Sequence, residues 1–317
     1  MDNPIAPERK LFGFKLPPKV VWTKRAKADL RTGLLFLSPW LIGFFAFTLY
    51  PMIVSLYYSF TIYHSKRAPE WVGFENYVNL FSDKDFFISL NNTLYMVVIA
   101  VPLGLIASFI CALLLNLKVR GQAFYRVVYF LPSIVPTVAG TILFLWLLNP
   151  QVGLVNTLLA KIGIDGPNWM VDPNWSKPAL ILLGMWGMGG TIIIYLSGLQ
   201  DVPVSLIEAA ELDGANWFQR LWHITIPMVS PITLFNLITG MIGMFQYFAQ
   251  AYVVGGGEAL GRPLNSTLFY SVYLYQNAFL FLKMGYASAM AWILFIIILI
   301  LTLLLLKVSD RFTYYSG

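Results

Sequence analysis

Six long stretches of this chain contain no Asp, Glu, Lys or Arg. Each is long enough to cross a hydrocarbon core of about 30 Å, which takes roughly 20 apolar residues in a helix. Only 11% of the 317 residues are charged, whereas soluble domains carry about 25%. The sequence therefore predicts an all-α integral membrane protein with six transmembrane helices, at 33–60, within 88–116, within 127–148, at 179–200, at about 228–254 and at 284–306.

The placement of Lys and Arg predicts the orientation of these helices. The segments before the first helix, after the second, between the fourth and fifth and after the sixth hold fourteen basic residues, and the other three loops hold seven. Because basic residues accumulate on the cytoplasmic side, both termini are expected in the cytoplasm. The predicted organisation is a cytoplasmic tail at 1–32, a first helix at 33–60, an extracytoplasmic loop at 61–87, a five-helix transmembrane domain at 88–306 and a cytoplasmic tail at 307–317.

The first thirty residues contain seven Lys and Arg residues and no apolar core of signal-peptide length. We therefore expect no cleavable signal peptide, and a tail that stays in the cytoplasm. The basic balance of the whole chain, +6, is explained by membrane topology rather than by binding to nucleic acid, because the basic residues cluster beside the apolar stretches.

The loop at 201–227 is the most acidic segment, with four carboxylates against one arginine. Ser205 and Glu208 have the spacing of a capping box, which predicts a helix start. Gly214 is suited to end that helix in the left-handed conformation, and Asn216 is suited to cap a second short helix. Pro227 is expected at the start of the fifth transmembrane helix, and the apolar face of the second short helix comprises Trp217, Phe218, Leu221 and Trp222.

Two interpretations of the 201–227 loop remain open from the residues alone. The thin face around Ala209 and Ala210 favours close docking of another protein. A hairpin on the lipid headgroups would also suit its Trp and Phe residues, but such helices are normally rich in Lys and Arg. The net negative charge therefore favours the docking interpretation.

Polar side chains in the fifth transmembrane helix mark a candidate path for a solute. Four of them recur at intervals of 3, 7 and 4 residues and predict one helical face. Polar groups are costly in lipid, so this face is expected to point inward. Substrate contact and helix–helix hydrogen bonding explain it equally well; Tyr195, Tyr286 and Trp292 are weaker candidates, and the path residues are Asn236, Thr239, Gln246, Tyr247 and Gln250.

Several other classes of function lack support. An ion-coupled carrier commonly uses an ionisable residue inside its helices, and none is present here. His64 and His223 lie in different loops without a Cys/His cluster, so no metal site is expected. No nucleophile–base arrangement indicates an enzyme, and Cys111 is interpreted as a packing residue.

The 201–227 loop resembles the EAA motif of binding-protein-dependent ABC importer permeases. That motif reads EAA-x-x-DGA followed by I-x-LP, and this chain departs from it with Ile226 in place of Leu and with Leu221 where sugar permeases often have Phe. The matching residues are Glu208, Ala209, Ala210, Asp213, Gly214, Ala215, Ile224, Pro227 and Pro231.

Further segments resemble the carbohydrate-uptake branch, of the maltose and glycerol-phosphate type. Each is weak alone, and together they cover most of the chain: FTLYP at 47–51, VGFENY at 72–77, NTL at 92–94, FLP at 130–132 and GYASA at 285–289.

The resemblance implies a type I ABC importer fold and a permease subunit in the bacterial-type inner membrane. It implies a second homologous permease, two ATPase subunits and an extracytoplasmic solute-binding protein as partners. The segment Glu208–Gly214, with Ala215, Phe218 and Pro227 beside it, would dock in a groove of the ATPase. The chain has no Gly-x4-Gly-Lys-Ser/Thr sequence, so it needs no cofactor of its own and ATP would bind to the partner. An ion-coupled secondary transporter is the alternative, and a membrane scaffold without cargo is a further one.

Overall fold

The computed structural model of the protein describes residues 10–11, 14–15, 23–64, 68–117, 119–256, 261–309 and 313. The predicted N-terminal tail lies largely outside these residues, and the C-terminal tail does so in part. The chain divides into two compact units, Met1–Ser55 and Leu56–Gly317.

Regular structure is almost entirely helical. Two short antiparallel strand pairs accompany the helices, Lys10–Leu11 with Phe14–Lys15 and Thr61–Ile62 with Glu70–Trp71. Single π-helical turns lie at Phe45–Leu49, Met96–Ala100, Leu221–Thr225 and Gln276–Leu280. The α-helices are Lys24–Phe44, Tyr50–Ser59, Glu75–Ser82, Lys84–Tyr95, Val101–Asn116, Gln122–Ile134, Thr137–Leu147, Leu154–Lys161, Pro173–Trp186, Gly189–Gln200, Val204–Leu212, Trp217–Arg220, Ile226–Phe245, Ala249–Val254, Tyr270–Tyr275 and Met284–Ser309.

The helix of the first unit begins before the apolar stretch that predicted it. Thr23 caps the helix, with its Oγ1 accepting from the amide of Ala26 at 3.1 Å, so the helix starts at Lys24 rather than near Gly33. The helix continues past Pro39, and a π-helical turn at Phe45–Leu49 joins it to Tyr50–Ser59. No residue of Lys24–Phe44 is buried within the unit.

Four helical stretches are long and apolar enough to cross a membrane: Lys24–Ser59, Lys84–Asn116, Trp217–Val254 and Met284–Ser309. The remaining two predicted helices are each broken. Gln122–Ile134 and Thr137–Leu147 meet at 99°, and Pro173–Trp186 and Gly189–Gln200 meet at 51°. If each bent pair is one span, the count is six.

The sharper bend follows from a proline. Val135 precedes Pro136 and adopts an extended conformation, with φ −66° and ψ 128°. The ring of a proline disfavours the helical conformation in the residue before it. The helix therefore stops at Ile134 and a new one starts at Thr137.

The two largest of three clusters of buried side chains join most helices of the second unit. One connects the loop helix Glu75–Ser82 to helices from Lys84–Tyr95 to Met284–Ser309, through Leu80, Phe86, Met96, Leu180, Phe245, Tyr270 and Met290. The other joins Val101–Asn116, Gly189–Gln200 and the start of Ile226–Phe245, through Ala112, Leu115, Ile192, Tyr195, Leu196, Leu199 and Val229, with Cys111 packed beside it.

The segment 261–270 is fixed by side chains of the distant helix Lys84–Tyr95. Asn92 donates from Nδ2 to the carbonyl oxygens of Asn265 and Leu268, at 2.7 and 3.0 Å. The hydroxyl of Thr93 accepts from the amide of Tyr270 at 2.8 Å. Because a buried polar backbone group without a partner is costly, these bonds specify where the segment docks.

Candidate coupling loop and solute path

The 201–227 loop forms two helical segments joined by a tight turn. The helix Val204–Leu212 ends at Gly214, which has φ +79°. The amide of Ala215 donates to the carbonyl oxygen of Ala210 at 2.9 Å. This arrangement is the left-handed helix end that glycine permits, as the sequence predicts.

The predicted capping box of Ser205 and Glu208 is wrong. The helix begins one residue earlier, at Val204, and its N-cap is Pro203, which makes no side-chain capping bond. Pro203 has φ −59° and ψ 124°. Its fixed φ and missing N–H suit the entry to a helix, so the start is set by the proline and not by the serine.

The second segment is capped as predicted. Asn216 Oδ1 accepts from the amide of Gln219 at 3.0 Å, and Gln219 Oε1 accepts from the amide of Asn216 at 2.7 Å. The helix then runs without interruption from Trp217 through a π-helical turn to Phe245. Pro227 lies at the first turn of Ile226–Phe245, so the loop is rigidly continuous with an apolar helix.

Asn216→Ala is expected to weaken this junction. Loss of the reciprocal cap removes about 1 kcal/mol of helix stability, so the amide of Gln219 should exchange with deuterium faster. Asn216→Ser retains a capping oxygen and serves as the control. Equal exchange protection in the alanine and serine variants would contradict a capping role.

Charges in the loop are divided between an internal pair and free carboxylates. Arg220 forms an ion pair with Glu211 across the turn. Glu208 and Asp213 are exposed, and neither has an ion-pair partner among the residues that the structure describes. The loop therefore presents negative charge outward after its own arginine is neutralised.

Apolar side chains beside these carboxylates are uncovered. Leu212 is 90% exposed, Phe218 67% and Trp222 65%. Trp217 packs edge to face on Phe218 with ring centroids 4.8 Å apart. Ala209 is exposed and leaves the first helix thin. Large apolar groups exposed together mark an interaction surface.

The predicted polar face of the fifth apolar helix is interrupted. Asn236 is buried, 4% exposed, and neither its Nδ2 nor the hydroxyl of the buried Tyr247 has a hydrogen-bond partner among the residues that the structure describes. Thr239 is exposed and donates to the carbonyl oxygen of Phe235 at 2.8 Å in its own helix. Gln246 is exposed and Gln250 is half-buried.

The polar face is interrupted because the helix itself is broken, which the spacing of its polar residues does not show. The helix ends at Phe245 and restarts at Ala249, so the helical period does not carry from Asn236 to Gln250. Backbone groups are freed where such a helix is broken, and helix breaks in transporters lie where the backbone lines a cavity. Gln246 and Tyr247 are in the break itself.

Asp83 is a polar centre that the sequence analysis misses. Its carboxylate accepts from the hydroxyl of Tyr286 at 2.6 Å and from that of Tyr273, and it caps the helix that starts at Lys84 by accepting from the amide of Asp85 at 2.9 Å. Burial alone would raise the pKa of Asp83, but the tyrosine hydroxyls and the amides of Asp85 and Phe86 together lower it. Only the cap has a sequence signal, namely an aspartate a few residues before an apolar run.

Long apolar helices with broken middles define a multi-pass membrane protein with the features of a transporter. Residues 100–315 match the family described as binding-protein-dependent transport system inner membrane component. The chain belongs to this family, which confirms the resemblance stated from the EAA-type residues. It is thus a permease subunit of the inner membrane and not an enzyme.

Relatives of known name span nearly the whole chain. It is 40% identical to "Probable ABC transporter permease protein YesP" of Bacillus subtilis, over 93% of this chain and 96% of that one. It is 33% identical to the arabinooligosaccharides transport system permease protein AraP of Bacillus subtilis, over 88% of each. It is 35% identical to the lactose transport system permease protein LacF of Rhizobium radiobacter, over 86% of this chain and 92% of that one.

A solved structure has the same fold. A chain from a bacterial ABC transporter involved in the import of the acidic polysaccharide alginate superposes with a TM-score of 0.75, at 23% identity, over 92% of this chain and all of that one. A chain from a bacterial alginate ABC transporter in complex with an alginate pentasaccharide-bound periplasmic protein also superposes with a TM-score of 0.75, at 24% identity, over 94% of this chain and all of that one.

Proposed function

We propose that the chain forms part of the translocation path of an ATP-driven importer for a sugar or oligosaccharide. The observation that carries the transport role is the exposed 201–227 loop. It is continuous with an apolar helix, so that movement of a partner bound to the loop is transmitted to that helix. The names of the relatives, arabinooligosaccharides and lactose permeases among them, support a carbohydrate as the solute.

In this proposal the chain crosses the membrane six times with both termini in the cytoplasm. The two bent pairs are each one span, and the excess of Lys and Arg in alternate segments supports the orientation. Residues 1–32 and 307–317 are then cytoplasmic, 61–87 extracytoplasmic and 201–227 cytoplasmic. The span at 33–60 precedes the five-helix domain at 88–306.

The 201–227 loop is the proposed joint to a cytoplasmic ATPase. Glu208 and Asp213 offer carboxylates, Ala209 and Ala210 permit close approach, and Gly214 and Ala215 form the turn. Phe218 supplies an apolar anchor that is exposed in the isolated chain. Pro227 lies where the loop continues into the fifth span. Because no flexible segment separates them, a displacement of the loop moves the membrane helix.

The remaining partners follow from the same proposal. Two ATPase subunits bind and hydrolyse ATP, since this chain contains no P-loop sequence. A second permease completes the channel. An extracytoplasmic binding protein delivers the solute.

The energy source of uptake tests the proposal directly. Uptake by the reconstituted complex should stop when the catalytic residues of the partner ATPase are disabled, and a transported saccharide should stimulate ATP hydrolysis. Uptake that survives this change and collapses with a proton or sodium gradient would overturn it. Absence of any solute-stimulated hydrolysis would instead support a scaffold without cargo.

The proposed solute path runs past Asn236, Thr239, Gln246, Tyr247 and Gln250. Gln246→Ala and Gln250→Ala should each raise the KM for uptake about fivefold, because each removes a hydrogen-bonding amide worth about 1 kcal/mol. The control is Gln200→Ala. Gln200 is also exposed, but it lies at the proposed cytoplasmic end of the fourth helix, so its loss should leave the KM unchanged. If all three variants behave like the wild type, the amides have a purely structural role.

A further inference from the structure

Four aromatic rings form one contiguous cluster beside the break in the fifth span. Phe248 contacts Tyr252 and Tyr275, with centroids 5.4 and 5.1 Å apart. Tyr252 contacts Tyr275 at 5.5 Å, and Tyr275 contacts Phe279 at 5.1 Å. We call Phe248, Tyr252, Tyr275 and Phe279 the outer aromatic cluster.

The cluster is built from two separate pieces of chain and is partly exposed. Phe248 and Tyr252 belong to the break and to the helix Ala249–Val254, whereas Tyr275 and Phe279 belong to the helix Tyr270–Tyr275 and the π-helical turn after it. Phe279 is 57% exposed, and the other three rings are half-buried. In the proposed topology both pieces lie toward the extracytoplasmic side.

Three glutamines lie within two positions of these aromatic residues along the chain. Gln246, Gln250 and Gln276 are all exposed or half-buried, and their side chains make no hydrogen bond to any residue that the structure describes. An amide facing hydrocarbon without a partner costs several kcal/mol. Three such amides on the two pieces of chain that form the cluster therefore indicate a surface that faces water or a polar ligand rather than lipid tails.

We propose that the outer aromatic cluster is a saccharide-binding subsite at the extracytoplasmic mouth of the path. This inference rests on the proposed carbohydrate function and adds residues to it. The axial C–H groups of a sugar ring pack against aromatic faces, while its hydroxyls bond to amides. Rings and amides in combination thus match a saccharide better than either an ion or a purely apolar solute.

The competing explanation is an interfacial belt of aromatic residues, which sits at the level of lipid headgroups. Accessibility shows whether the cluster faces water or lipid tails, and protection by a ligand separates a subsite from a belt. In a Cys111→Ser background, which removes the single cysteine of the chain, Tyr275→Cys and Phe279→Cys should react with a charged, membrane-impermeant thiol reagent added outside. Ile300→Cys, in an uninterrupted apolar run and 51% exposed, is the lipid-facing control.

Protection by a ligand is the second part of that experiment. The complex, reconstituted with its second permease, ATPases and binding protein, is labelled with and without arabinotriose or lactose. The proposal expects that a saccharide which stimulates the wild-type ATPase also slows labelling at positions 275 and 279. Labelling no faster than at position 300, or labelling that no stimulating saccharide slows, overturns the subsite.

Kinetics give an independent readout. Tyr275→Leu and Tyr252→Leu should raise the KM for the stimulating saccharide about tenfold, with kcat within about twofold, because they remove binding shared by ground and transition states. Tyr275→Phe keeps the ring and should restore the wild-type KM. Phe295→Leu, which disrupts the Trp292–Phe295 pair, controls for loss of an aromatic contact elsewhere.

Different results would contradict the proposed carbohydrate function and the proposed subsite. If neither arabinotriose nor lactose nor any other saccharide stimulates the wild-type complex, the carbohydrate function is wrong. If the wild type is stimulated and Tyr275→Leu and Tyr252→Leu keep its KM, the function stands and the outer aromatic cluster is not a subsite.

Discussion

Replacing Gly214 with proline is expected to abolish uptake while the apolar helices remain folded and inserted. Gly214 has φ +79°, and its amide donates to the carbonyl oxygen of Glu211 at 3.0 Å. Proline holds φ near −65° and has no N–H, at a cost of about 3 kcal/mol or more. That cost corresponds to roughly a hundredfold loss of the native turn. Glu208 and Phe218, on either side of the turn, would then no longer be presented together to the ATPase.

Gly163 provides a matched control for this substitution. It has φ +78°, its amide donates to the carbonyl oxygen of Ala160 at 3.1 Å, and it too ends a short helix, Leu154–Lys161. An added Cβ meets no atom within 4 Å at either glycine. Gly163→Pro therefore carries the same local damage in a loop proposed to lie outside the cell.

Two measurements distinguish the variants. Gly214→Pro should lose the ATPase subunit on co-purification and lose uptake, whereas Gly163→Pro should keep both. Equal loss in the two variants would mean that the effect is one of folding. Retained uptake in Gly214→Pro would remove the 201–227 loop from the coupling mechanism.

The apolar helices could be predicted from the sequence because the membrane imposes a length and a composition on them. Where hydropathy alone decides, as for Met284–Ser309, prediction and structure agree closely. The second half of the 201–227 loop was also predictable, since the signals of Asn216 and Gly214 are local. Ser205 failed as a cap because Pro203, two residues earlier, starts the helix first.

Features that depend on contacts between distant parts of the chain could not be predicted from the sequence. The break at Gln246–Phe248 carries no proline or glycine, so periodicity ran through it. It lies where Tyr247 packs edge to face on Phe269, with centroids 5.3 Å apart. The outer aromatic cluster likewise joins residues on two separate pieces of chain. Such pairings follow from tertiary packing and not from any local pattern.

Asp83 is the clearest case, because its two tyrosine partners lie 190 and 203 positions away along the chain. It ties the start of the second span to the helix Tyr270–Tyr275 and to the first turn of the sixth span. Asp83→Ala should therefore destabilise the protein by about 3 kcal/mol, through one lost helix cap and two phenol hydroxyls left without their charged acceptor.

Asp172 separates the cap from the tyrosine pair. It caps the helix Pro173–Trp186 by accepting from the amide of Asn174 at 2.8 Å, much as Asp83 accepts from Asp85, but no tyrosine hydroxyl bonds to it among the residues described. Asp172→Ala should cost only about 1 kcal/mol. Denaturant unfolding of both variants in detergent gives the comparison, and equal costs would show that the tyrosines contribute nothing.

The pH dependence of unfolding gives Asp83 a second test with a defined sign. Its pKa is lower in the folded protein than the ordinary value of an aspartate, so the folded state favours the carboxylate. Its contribution is then fully present above about pH 4, the range where an unfolded aspartate is also ionised, and is lost as the pH falls through the lower folded pKa. The stability gap between wild type and Asp83→Ala should stay constant from neutral pH down to about pH 4 and should narrow as the pH falls from there to the folded pKa. A gap that narrows already near neutral pH would mean that Asp83 is protonated in the folded protein, and the two tyrosines could not then share a charged acceptor.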